Sequence, residues 1–71
     1  MDFYTDTRQH VTVSPEAPQD ASYGAIYLVT VDDTLAGRIT RIRAGEWKYI
    51  RVDGSHGYAR SSTLAAEALA A

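Results

Sequence analysis

Asp53-Gly54 constrains the fold of this chain more than any other local feature, because it sits between two β-prone runs. An Asp-Gly pair supplies the positive φ that a type I′ hairpin turn needs, so it predicts a two-residue turn joining antiparallel strands. The run before it is Trp47 to Val52 and the short one after it is Ser55 to Arg60. Ala44-Gly45-Glu46 separates Trp47 from an earlier run, Ala36 to Arg43. Gly45 there can take the positive φ of a short loop. Tyr23 to Val31 is a further strand, with six consecutive β-prone residues from Ile26 onward, and Asp32-Asp33-Thr34 ends it.

The last ten residues change period. Leu64, Ala65, Ala68 and Leu69 form an apolar stripe at helical spacing, and the alanines favour helix by propensity. Ser61 is the expected N-cap. So short a helix is marginal alone and must pack on the sheet. The expected fold is therefore α+β: an antiparallel sheet of three to five strands with one C-terminal helix on one face. The chain divides into an acidic N-terminal arm, residues 1–20, and a single α+β domain, residues 21–71. The arm is either mobile or a docked strand. His10 to Val13 has strand-like alternation, whereas Ser14 to Asp20, with Pro15 and Pro18, is turn or linker.

Strict alternation sorts the hairpin residues between two faces. Ile42, Ile50, Val52 and Ala59 supply an apolar face for the helix. The opposite face then displays Arg41, Arg43, Trp47, Tyr49, Arg51 and Tyr58, with Arg60 at its margin. Arginines interleaved with aromatics suit nucleic acid: guanidinium forks pair with phosphate or guanine edges, and rings stack on bases. Trp47 also has the size to anchor a core. Arg38 and Lys48 fall on the helix side in this assignment, and a bulge or a one-residue slip exchanges the two faces.

Charge divides along the chain. Residues 1–34 sum to −5 and residues 35–61 to +4, within a formal total of −2. That asymmetry points to a charged partner without fixing the fold. The acidic total argues against binding driven by counterion release alone. With no cysteine, disulfides, thiolate metal sites and cysteine nucleophiles are excluded, which fits a cytoplasmic setting. There is no signal-peptide pattern at the start and no apolar run of bilayer-spanning length, so no membrane association is expected.

Signals for catalysis are weak. His10 and His56 have no partner at ligand-like spacing, and Asp32-Asp33 reads as an acidic turn. Ser61-Ser62-Thr63 lacks the glycines of a nucleophile elbow, and no glycine-rich phosphate loop is present. The expectation is a non-enzymatic protein without metal or small-molecule cofactor.

Leu35 through Ile42, then Trp47, then Asp53-Gly54, then Ser61 through Leu69, resemble a known type of module. The pattern is similar to small three-strand-plus-helix proteins of actinobacterial phages and plasmids. It resembles more loosely the arm-type DNA-binding domains of tyrosine recombinases and the AP2 domain. Those domains lay a three-stranded sheet in the major groove and back it with the helix. The resemblance implies a small DNA-binding accessory or regulatory protein with double-stranded DNA as partner. Arg41, Arg43, Trp47, Tyr49 and Arg51 are then the DNA-facing positions. It covers residues 35–70 and implies no strand cleavage. The acidic first third departs from that pattern. Its strand at 23–31 is apolar on both parities, which supports an alternative: a protein-interaction module or homodimer built around Tyr23, Tyr27, Val29 and Val31. A phage-encoded inhibitor of a host protein is one such module.

Overall fold

The computed structural model describes residues 1–16 and 25–71. Six strands and one helix follow each other: β1 (Asp2–Tyr4), β2 (His10–Pro15), β3 (Ile26–Val31), β4 (Thr34–Arg43), β5 (Glu46–Arg51), β6 (His56–Ala59) and α1 (Ser62–Ala70). The strands form one antiparallel sheet in the order β1-β2-β3-β4-β5-β6, so each strand lies beside its neighbour in sequence. The fold is α+β with a C-terminal helix on one face, as the sequence predicts, but the sheet has six strands rather than three to five. The extra strands come from the first fifteen residues, where β1 pairs with β2 and β2 with β3. The expected boundary at residues 20 and 21 lies outside the described residues.

Turn chemistry explains the meander. Asp32 and Asp33 both have positive φ, 51° and 68°, in the two-residue connection between Val31 and Thr34. This is the type I′ turn of the chain. The Asp32 carboxylate accepts from the His10 backbone N–H at 2.9 Å, which helps hold an aspartate in that conformation. Asp53-Gly54 differs from expectation, because only Gly54 has positive φ, 91°. The Arg51 N–H donates to the Ser55 carbonyl, and the Gly54 N–H donates to the Arg51 carbonyl. The connection is thus a three-residue loop, Val52 to Gly54, closed by a glycine bulge. Thr5 to Gln9 closes the same way, with Arg8 at φ 63° in the glycine position. Gly45 takes φ 75° between β4 and β5, as expected.

The ten-residue β4 carries two irregularities. Pairing shifts between Val29 and Thr30 on β3, which leaves Ala36 as the extra residue of β4. It shifts again between Arg41 and Arg43, where Ile42 is the extra residue. Bulges strengthen local twist and bend a strand, curving the sheet around the helix.

The core lies between α1 and one face. Val11, Val13, Val29, Ile39, Ala65, Ala66, Leu69 and Ala70 are buried, and Phe3, Tyr27, Val31, Ala36, Trp47, Tyr49 and Ala59 pack against them. Ser61 caps the helix, its hydroxyl accepting from the Leu64 N–H at 3.1 Å. The buried stripe is Ala65, Ala66, Leu69 and Ala70, one step off the expected stripe. Leu64 is half exposed. Alanines let this helix approach the sheet closely, and Gly37 opposite Leu69 extends that approach.

Candidate interaction surface

On β4 and β5 the helix covers the opposite face from the one expected, whereas on β6 it covers Gly57 and Ala59, as expected. Trp47 and Tyr49 pack against the core, while Ile42 and Val52 are exposed and Ile50 takes the parity opposite Tyr49. Cross-strand register carries the assignment across the sheet: Val13, Val29, Gly37 and Arg51 share one row, and Pro15, Tyr27, Ile39, Tyr49 and Gly57 share the next. Of the predicted DNA-facing set, Arg41, Trp47, Tyr49 and Arg51 therefore belong to the helix side. Only Tyr58 and, beyond the second bulge, Arg43 belong to the open side. Arg60 follows β6 at the exposed margin. The proposed Arg/aromatic set is thus divided between the two faces, with Arg41, Trp47, Tyr49 and Arg51 together on the helix side.

On the helix side the aromatics are occupied with one another. Tyr27 and Trp47 have ring centroids 6.0 Å apart. The Arg51 guanidinium carbon lies 5.2 Å from the Tyr49 ring centroid, within cation–π range. Tyr49 lies across Gly57, where a Cβ would collide with its ring, so the aromatic fills the space an edge-strand glycine leaves. A mostly apolar cavity of about 290 Å³ lies beside the helix start, lined by Met1, Val13, Pro15, Tyr27, Ile39, Trp47 and Ser62.

The strand singled out as an interface is sorted in the same way. Val29 is fully buried under the helix, and Tyr27 and Val31 pack against that core, whereas Tyr23 lies outside the described residues. Phe3, Val11 and Val13 widen the sheet and its core beside β3, so the arm, where described, is docked. The other parity of β3, Ile26 and Leu28, is left on the open face.

That open face has its own layout. One row runs Ser14, Leu28, Arg38, Ile50 and His56. The next runs Ile26, Thr40, Lys48 and Tyr58, with Glu16 beside Ile26 through a backbone hydrogen bond. Ile26 is 37% exposed and Tyr58 58%. His56 meets Tyr58 edge to face at 5.9 Å. Arg38 Nε donates to Glu16 Oε1 at 2.8 Å, and Arg43 Nε to Glu46 Oε1 at 2.7 Å. Lys48 makes no ion pair with a described residue. Toward β1, Tyr4 stacks on His10 at 4.9 Å, and His10 Nε2 lies 3.6 Å from Asp2.

Among the described residues no group of three or more His, Asp or Glu is placed to hold a metal ion. Ser61, the first of the three hydroxyl residues, caps the helix. The Asp53 carboxyl is held below its ordinary value by hydrogen bonds from the Ser55 N–H and hydroxyl, which order a turn. No helix of the described residues is long and apolar enough to cross a membrane.

No protein-family model, curated protein or solved structure matches the chain. Its functional reading therefore rests on the two faces of the sheet.

Proposed function

We propose that this chain is a non-enzymatic protein-interaction module that docks through the open face of its sheet. The observation that carries this reading is the set of apolar and aromatic side chains on the side the helix leaves open, Ile26 and Leu28 on β3 and Ile50 and Tyr58 on β5 and β6, with Arg38, Thr40 and Lys48 between them. A two-layer domain has one sheet face free, and apolar side chains left there are the mark of a contact surface. The polar groups among them suit a protein partner better than a polyanion. Two of the arginines on this side, Arg38 and Arg43, are already neutralised by glutamates, and those glutamates would repel phosphate. A phage-encoded inhibitor of a host protein is one form such a module takes.

Site-specific photocrosslinking in native extract tests the reading. A photoreactive residue at Tyr58, on the open face, should give discrete protein adducts. The same residue at Glu67, exposed on the helix, should not. Equal labelling from both positions would end the proposal.

Duplex DNA binding is a second reading, supported by Lys48, Arg43 and Tyr58 on the open side with Arg60 at its margin. A labelled-duplex titration at low salt tests it. Binding that weakens steeply with salt and is lost in a Lys48→Glu variant would favour DNA over protein.

A further inference from the structure

The meander turns a division along the chain into a division across the molecule. Strand order in space equals strand order in sequence, so the acidic first third becomes one half of the sheet and the basic middle becomes the other. Among the described residues, β1 to β3 and their turns carry Asp2, Asp6, Glu16, Asp32 and Asp33 against Arg8 alone. The half from β4 to β6 carries six cations, counting Arg60, against Glu46 and Asp53. On the open face itself, register sets Asp2 and Glu16 in the first half and Arg38, Lys48 and Arg43, with Glu46 beside Arg43, in the second, while Arg41 and Arg51 lie on the helix side. The boundary runs between β3, which carries Ile26 and Leu28 on the open face, and β4, which carries Arg38 and Thr40 there.

A surface with oppositely charged halves, each carrying apolar side chains, complements itself. We infer that the open face is a homodimer interface, two sheets stacking about a two-fold axis that lies in the contact plane along the β3–β4 boundary. The inference rests on the reading of this face as a docking surface and names its occupant as a second copy of the chain. Such an axis sets β4 over the partner's β3 and β5 over its β2. Each acidic half meets a basic half, and the contact is isologous, as in most dimers. Sheets that stack face to face keep their strands nearly aligned, which this axis does.

Register makes the inference specific. Lys48 on β5 and Glu16 at the end of β2 lie in the same row, two strands to either side of the axis. Lys48, which makes no ion pair with a described residue, is therefore set opposite the partner's Glu16. Glu16 is engaged by Arg38 through one oxygen, Oε1, and no described residue bonds the other. The pair occurs twice in a two-fold dimer. Arg38 lies over the partner's Leu28, and its aliphatic stem supplies apolar area there.

Sedimentation equilibrium of the full chain, from micromolar to about millimolar concentration at low and high salt, tests the inference. The expected result is a monomer–dimer equilibrium whose dissociation constant rises with salt. Lys48→Glu or Glu16→Lys alone should weaken the dimer about three- to tenfold, since both copies of the pair are lost. An equimolar mixture of the two single variants should restore it, because each contact in the mixed dimer again joins opposite charges. Glu67→Lys changes net charge as much as Glu16→Lys and should have no effect. Leu28→Asp should give a monomer with unchanged far-ultraviolet circular dichroism. A monomer at every concentration, or a dimer indifferent to Leu28→Asp and to the charge exchange, would overturn the inference. A monomer that still crosslinks from Tyr58 to another protein in extract removes the second copy and leaves the docking surface standing.

Discussion

Replacing Gly37 by alanine tests the packing of helix on sheet at its tightest point. Gly37 has φ 155° and lies on the helix side of β4, next to a bulge. A Cβ there would fall inside contact distance of the Ile50 carbonyl oxygen and 3.0 Å from Leu69 Cδ2. The leucine tip can turn aside, but the carbonyl belongs to the β4–β5 ladder and moves only with its strand. Overpacking of this kind costs about 1–3 kcal/mol, and forcing a residue with a Cβ to positive φ adds about 1–2. Reduced freedom of the unfolded chain returns about 0.4–1 kcal/mol. The net expectation is a loss near 3 kcal/mol. For a domain of this length, total stability is on the order of 4–11 kcal/mol and each kcal/mol is worth about 4–8 °C. Gly37→Ala should thus lower Tm by roughly 12–24 °C. Gly54→Ala is the control: it also has positive φ, 91°, but an added Cβ meets nothing within 4 Å. It should cost about 1 kcal/mol. Urea and thermal unfolding followed by circular dichroism measure both. Equal losses for the two variants, within about 0.5 kcal/mol, would refute the claim that the β5 backbone and Leu69 leave no room for a Cβ at Gly37.

Leu69→Ala removes the largest buried side chain of the helix and should destabilise by roughly 2–3 kcal/mol in the same assay. Ser61→Ala deletes the hydroxyl that caps Leu64 and should cost about 1 kcal/mol, with helical signal lost before sheet signal on heating. Asp53 provides a pH signature. Its carboxyl is held below the ordinary 3.8 by the hydrogen bonds from Ser55, with a smaller contribution from Arg51. A depressed value means its stabilisation is present above the ordinary value and is lost as pH falls through the lower, folded one. The stability gap between the wild type and Asp53→Ala should therefore be constant near neutrality and should shrink below about pH 4.

Much of the element order was legible because it is written in turns. Gly45, the Asp32-Asp33 break and the Ser61 cap fall where local chemistry puts them. The face assignment failed through one residue. Treated as a two-residue turn, Asp53-Gly54 sets Tyr49 opposite Tyr58 and leaves arginine and aromatic residues on a common side. The true loop has three residues and sets Tyr49 opposite Gly57, which reverses β6 relative to β5. A signal for the correct arrangement was present: Gly37 and Ile39 share a parity, and the small residues Gly57 and Ala59 share another. Small residues make room for a helix, whereas Arg38 and Lys48 resist being placed under one. The bulges at Ala36 and Ile42 left no comparable mark. Nor did β1, because the left-handed residue that closes its hairpin is Arg8, a type rarely found there.

The meander also governs how the chain reaches its fold. Every strand pairing joins neighbours in sequence, so no pairing must wait for a distant segment to arrive. All-β domains usually fold in milliseconds to seconds because their contacts span long loops, whereas local pairing shortens those loops and speeds closure. The helix contacts strands β2 to β6, including β5 and β6 just before it, so a closed β5–β6 hairpin already offers part of its docking surface. Stopped-flow refolding should then be fast for a sheet protein. Substitutions in the Val52 to Gly54 loop should slow it more than equally destabilising ones in β1, since the strands can zip outward from the hairpin that closes first.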